Sequence, residues 1–264
     1  MGYCRVTKKD WIWAGSKRIG TSHIRSGTGC DDFGACVEVV GPSDRALIVV
    51  VSDGAGSAKY SSIGSRIVSR VCVANASRHI ADGKPIIDIS LEVVKDWLDE
   101  VRDRISLIAD PRGATRRDFA ATAVGAIVGE RTAVFFHVGD GAAAFRAIDQ
   151  DEWIIASWPA QGQFASTTYF VTDDPEPVCR VTAIDYTVGH LALFTDGIER
   201  LVLDFAKHEA FSPFFKKMMT PLVGKAPGRN RDLSRQLNQF LDGKSVCEKT
   251  DDDKTLILAS RAGS

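Results

Sequence analysis

Leu47-Ile-Val-Val-Val51 runs through Ser52 into Asp53-Gly54. A segment this rich in β-branched residues reads as a strand, and it ends on a carboxylate followed by glycine. Ala133-Val-Phe-Phe-His-Val138 passes in the same way into Gly139-Asp140-Gly141, and Leu191-Ala-Leu-Phe194 into Thr195-Asp196-Gly197. In the opposite sense, Asp251-Asp-Asp253 leads through Lys254 into Thr255-Leu-Ile-Leu258, and Asp32 stands just before an apolar run. Asp-Gly is also a common turn dipeptide. Asp82-Gly83 and Asp242-Gly243 follow helical patterns and read as plain helix stops. The other carboxylates sit at strand ends, where a rigid scaffold aims them and the following glycine lets the backbone approach a ligand. Carboxylates gathered there repel one another unless a cation lies among them. Oxygen donors without a His or Cys cluster suit Mg²⁺ or Mn²⁺ rather than zinc, which points to a metal-assisted hydrolase.

Outward from that stretch, residues 11–14, 34–40 and 45–52 read as strands separated by glycine-rich turns. Ile63, Ile67 and Val71 predict one helix by their spacing of four. Ile87, Leu91, Val94, Leu98, Val101, Ile105 and Ile108 predict a second, capped by Asp88 or Ser90 and closed by Pro111. Strands return at residues 120–128, 132–138, 142–148, 153–157, 178–183 and 189–194. Helices follow at 205–219 and 231–241, and a last strand at 255–259. The elements do not alternate as βαβ units do, so an antiparallel α+β layered fold is expected. With no linker or internal repeat, residues 1–264 are expected to form one domain.

The chain has 264 residues, 44% of them hydrophobic, which is enough for a sizeable core. A formal net charge of −1 gives no electrostatic case for nucleic acid or an anionic membrane. No apolar run approaches the roughly 20 residues that span a bilayer, and the N-terminus has no apolar signal core. A cytoplasmic location is expected. Six cysteines show no metal-ligand spacing, and Cys30, beside Asp31-Asp32, is read as packing rather than redox-active.

Asp31-Asp32, Ser52-Asp-Gly-Ala-Gly56, Ala120-Ala-Thr-Ala123, Val138-Gly-Asp-Gly141, Thr195-Asp-Gly197 and Asp252-Asp-Lys-Thr255 resemble, in order, the motifs of the type 2C metal-dependent protein phosphatases. Gly20-Thr-Ser-His23 and the segment from Gln161 to Phe170 resemble a bacterial branch of that family. The resemblance implies a four-layer αββα sandwich with metals at one end of two mainly antiparallel sheets. It also implies hydrolysis of phosphoserine and phosphothreonine in a phosphoprotein substrate, with Mn²⁺ or Mg²⁺ as cofactor. Asp53 would bridge two ions, Gly54 would bind through its carbonyl, and Asp196 and Asp252 would complete the pair. Asp32 would reach a metal directly or through water, and Asp140 would belong to a third, weaker site. A pair of cations activates water and clamps the phosphoryl group, so no protein nucleophile is required.

Some positions depart from the family pattern. Gly27 stands where many members carry a phosphate-gripping arginine, Ala55 where some carry a histidine, and Arg200 where an aspartate often serves the third metal. Arg25 and His23 are the candidate replacements for substrate binding, weighed against a solvated arginine and a structural histidine. His137 reads as packing within its strand. These departures leave two alternatives: a catalytically weak phosphoprotein-binding module, or a phosphohydrolase acting on a small molecule. Lys216, Lys217, Lys225, Arg229, Arg231 and Arg235 form a basic stretch that would attract acidic phosphoproteins, although a solvated helix face is the plainer reading.

Overall fold

The Leu47 run forms an interior strand whose two faces are buried in different places. Leu47, Val49 and Val51 pack between two sheets, whereas Ala46, Ile48 and Val50 pack under helices. The computed structural model describes residues 10–159 and 168–263. Its strands are β1 (Trp11–Arg18), β2 (Phe33–Val40), β3 (Arg45–Ser52), β4 (Ala123–Val128), β5 (Ala133–Val138), β6 (Ala142–Ala147) and β7 (Ile154–Ser157). They continue with β8 (Arg180–Ile184), β9 (Val188–Phe194), β10 (Leu203–Asp204), β11 (Glu209–Ala210), β12 (Gly228–Arg229) and β13 (Lys254–Arg261). The helices are α1 (Thr21–Ser26), α2 (Ser61–Ala81), α3 (Leu91–Ala109), α4 (Glu199–Val202), α5 (Ser212–Met219), α6 (Arg231–Leu241) and α7 (Lys244–Cys247).

One sheet has the order β2-β3-β4-β5-β8 and the other β12-β1-β13-β9-β6-β7. Pairings are antiparallel except for the short parallel contact of β1 with β12. Trp11, Trp13, Phe135, Phe145, Leu193 and Ile257 fill the space between the sheets. α2 and α3 cover the outer face of the first sheet, where Trp97 meets Phe136 edge to face at 6.2 Å. α5 and α6 cover the second through Phe215 and Leu237. The result is the expected αββα sandwich. Each fully buried Val, Leu or Ile contributes about 1.5–3 kcal/mol, so these layers dominate its stability.

Several local expectations need correction. Residues 205–219 are not one helix: β10 and β11 form a small hairpin, and the helix starts only at Ser212, with Pro213 in its first turn. Proline suits that first turn because its missing N–H has no helical partner there. Ile87 lies in a 3₁₀ turn and is exposed, while Ser90 caps α3 by accepting from the Val93 N–H at 3.4 Å. The first helix is present and Val71 is buried as expected, but Ile63 and Ile67 are only half-buried, and Gly64, Ser65, Val68, Cys72 and Ala76 form much of the buried face. Small residues let α2 approach closely: a Cβ on Gly64 would meet the Phe119 carbonyl oxygen at 2.0 Å.

Candidate metal centre

Connections from both sheets deliver carboxylates to one end of the sandwich. Asp53 leaves β3 and Asp140 leaves β5, whereas Asp196 follows β9 and Asp252 precedes β13. One carboxylate oxygen from each of Asp53, Asp140 and Asp196 lies within 4.8 Å of the others. Asp32, which enters β2, lies close enough to Asp53 for each carboxylate to shift the other's pKa. The resemblance implies a third, weaker site for Asp140; here it shares this triad with Asp53 and Asp196, and Asp252 is not a member. Asp252 is still close enough to raise the pKa values of Asp196 and Asp140.

The electrostatics show what the arrangement lacks without a cation. Burial, reinforced by Asp140 and Asp252, pushes the Asp196 carboxyl up to about 9. Burial also pushes Asp32 up to about 6, and lifts Asp53 well above the usual carboxylate range with help from Asp32 and Asp196. Asp140 is raised by burial as well. Asp32 Oδ1, Asp140 Oδ1 and Asp196 Oδ1 are buried without a hydrogen-bond partner among the described residues. Buried lone pairs are costly when unmatched, and a hard divalent cation would satisfy oxygens of this kind. The donor set therefore fits a hard divalent cation.

Neutral groups hold the carboxylates in place. Thr195 Oγ1 donates to Asp32 Oδ2 at 2.7 Å and accepts from the Thr255 N–H at 2.9 Å, which ties β9, β13 and the Asp32 loop together. Thr122 Oγ1 accepts from the Asp53 N–H at 3.0 Å. Thr168 Oγ1 donates to Asp140 Oδ2 at 2.6 Å, and Lys17 Nζ donates to the Asp32 carbonyl at 2.7 Å. The segment from Gln161 to Phe170 lies partly outside the described residues, which resume at Thr168.

The glycines after Asp53 and Asp196 allow close protein packing. A Cβ on Gly54 would meet the Asp31 carbonyl oxygen and Ser61 Cβ at 2.8 Å, and one on Gly197 would meet the Asp253 carbonyl oxygen at 1.8 Å. The Asp196 turn is thus pressed directly against the Asp252-Asp253 turn. Gly54 also bridges to Ala121.

Asp253 was not singled out from the sequence, although it is the last member of a visible acidic triplet. It is 1% exposed and accepts from the Gly20 N–H at 2.6 Å and the Asp31 N–H at 2.5 Å. His23 Nδ1 lies 3.0 Å from Asp253 Oδ2, so His23 is engaged with this anchor. Arg25 is exposed and pairs with Asp251 at 2.9 Å. Gly27 closes α1 in the left-handed conformation at φ 70°. Ala55 is buried and donates its N–H to the Ala120 carbonyl at 2.9 Å. Beside the exposed Arg200, Glu199 is lifted to about 7 by burial and by Asp140, and only its spacing of three from Asp196 could have signalled it.

His137 is a packed strand residue, 1% exposed, with Nδ1 2.5 Å from Ser157 Oγ. Burial and the two acidic neighbours Asp32 and Asp253 push the Cys30 thiol up to about 12, so it stays a thiol. No described helix is long and apolar enough to cross a membrane.

Comparison with known proteins gives a consistent picture. The family model described as Protein phosphatase 2C matches residues 19–242. Serine/threonine-protein phosphatase 3 of Escherichia coli (strain K12) is 30% identical over 256 residues, covering 95% of this chain and 98% of that protein. The crystal structure of a bacterial serine phosphatase superposes with a TM-score of 0.65 at 17% identity, over 96% of this chain and 98% of that one. The serine/threonine phosphatase Stp1 from Staphylococcus aureus gives 0.62 at 18% identity, over 95% of each chain. At these identities the solved structures speak to the fold.

Proposed function

The chain belongs to the protein phosphatase 2C family, and we propose that it is a metal-dependent phosphatase acting on phosphoserine and phosphothreonine in proteins. The observation that carries this reading is the cluster of buried carboxylates with unmatched oxygens at the joined end of two sheets. Asp53, Asp196 and Asp252 would hold a pair of Mn²⁺ or Mg²⁺ ions, with the Gly54 carbonyl as a further donor. Asp140 would serve the same centre or an adjacent ion, and Asp32 would act directly or through water. When bound, such ions supply Lewis acidity toward water and toward phosphoryl oxygens.

The chain's own residues supply position and proton control. Thr195 occupies Asp32 Oδ2 and leaves Oδ1 buried and unmatched, available as an acceptor. Thr168 occupies one oxygen of Asp140 and leaves the other free. Asp253 fixes α1 against the Asp31-Asp32 turn, so that turn does not drift as the centre loads. A binding module has no need to confine carboxylates at this cost, and a hydrolase does, because a preorganised site avoids reorganisation during reaction.

Hydrolysis of a phosphothreonine peptide with Mn²⁺, and again with excess chelator, tests the reading. Asp53→Asn should lower kcat by more than the roughly 10–100-fold typical of groups one shell removed from a metal, with an unchanged circular dichroism spectrum. Undiminished turnover in that variant would reject the assignment.

A further inference from the structure

A groove of about 1170 Å³ opens along the side of the sandwich, between β1 and the edge strand β2. Gly15, Gly34 and Ile257 form its floor, where a Cβ on Gly34 would already stand 3.0 Å from Ile257 Cδ1. Arg70 of α2 enters it from one side, and Arg229, Arg231 and Arg235 enter from β12 and α6. No Asp or Glu lines it among the described residues.

Arg235 pairs with Asp232, whereas the exposed Arg70, Arg229 and Arg231 have no ion-pair partner among the described residues. At one end lies Phe33, whose ring has Arg66, Arg70 and Lys17 at 5.6, 5.7 and 5.8 Å. Phe33 directly follows Asp31-Asp32, and Lys17, which donates to the Asp32 carbonyl at 2.7 Å, also lines the groove, so this end adjoins the Asp32 turn. Of the basic stretch seen in the sequence, Arg229, Arg231 and Arg235 line this concave surface, whereas Lys216, Lys217 and Lys225 do not.

Four arginines gathered with Asp232 as their one ion-pair partner among the described residues leave a net positive surface, so an anionic occupant is favoured. The volume exceeds the ~300–1,000 Å³ of small-molecule sites, and an edge strand offers unpaired backbone groups to an extended chain. We propose that the groove docks an extended acidic segment of the phosphoprotein substrate, beside the phosphorylated residue. This rests on the phosphatase reading above. Docking of this kind concentrates substrate without touching the reacting atoms.

The test compares phosphothreonine peptides carrying an Asp/Glu tail or an Asn/Gln tail, with para-nitrophenyl phosphate as a tail-free control. The acidic tail should lower KM about tenfold at low salt, as expected for two or three partly exposed charge pairs, and high salt should erode the gain. Arg70→Glu with Arg229→Glu should abolish the gain and leave para-nitrophenyl phosphate turnover unchanged, which also reports that the variant folds. Equal KM values for both tails, or a gain that survives the double substitution, would overturn the proposal. So would a single-stranded oligonucleotide of equal charge that competes more tightly than the acidic peptide. Fluorescence anisotropy of the labelled tail reads docking without catalysis, so a protein that binds the tail yet hydrolyses nothing loses the phosphatase reading and keeps the groove.

Discussion

At the scale of single residues, side chains that chemistry makes conspicuous were legible and those that work through backbone geometry were not. Asp53, Asp140 and Asp196 announce themselves by following apolar strands, and they converge. Gly27 looked like a lost arginine; its φ of 70° shows a helix stop that only glycine adopts without strain. No atom lies within 4 Å of where its Cβ would be, so Gly27→Arg should cost about 1 kcal/mol from backbone strain alone. That corresponds to a melting temperature lower by about 2–4 °C; an unchanged value would mean that α1 closes differently. His137 makes a second residue-level case. Burial, with Arg180 beside it, pushes the imidazole down to about 3. The folded pKa lies below the unfolded one, so its contribution is intact above pH 6.5 and declines as pH falls toward 3. Between pH 7 and pH 5 wild type should lose ~2 kcal/mol on this account, and His137→Gln should lose less by that amount in urea titrations. Equal losses in both proteins would show that the imidazole is free to charge.

At the scale of elements, apolar spacing found what is amphipathic and missed what is not. α3 was readable because Val94, Leu98, Val101 and Ile105 form one buried stripe. α1 has no buried residue and so left no pattern; it is held instead by Asp253 and by a contact from the Ser22 N–H to the Asp251 carbonyl at 2.9 Å. α2 showed its existence but not its face, because serine and glycine form much of the surface it buries. The helix read over 205–219 failed in its first half, which the β10–β11 hairpin occupies, although Pro213 marked the true start. Since α3 depends on its stripe, Leu98→Ala should cost about 2–5 kcal/mol, seen as a shifted urea midpoint. Leu98 is fully buried, and a loss below 1 kcal/mol would mean that α3 is not integral to the outer layer.

At the scale of the whole molecule, the centre is a joint between sheets. Asp53 belongs to the end of the β2–β3–β4–β5–β8 sheet, Asp196 and Asp252 to the other, and Asp140 to the β5–β6 crossing from one to the other. Without a cation, buried carboxylates pull the pKa values upward and push this end of the sandwich apart; with one, the repulsion becomes a tether. A cation that binds only the folded state at about 100 times its dissociation constant should add ~2.7 kcal/mol, or roughly 5–10 °C in melting temperature for a chain of this size. The gain should also be spatially specific. Amide exchange should slow at the Asp53 end of β3 and the Asp196 end of β9 together, because a shared ion restrains both sheets, and should be unaltered at the far ends near Arg45 and Val188. Slowing in one sheet alone would place the ion on that sheet and remove the joint, while melting curves that coincide in Mn²⁺ and in chelator would remove the ion altogether.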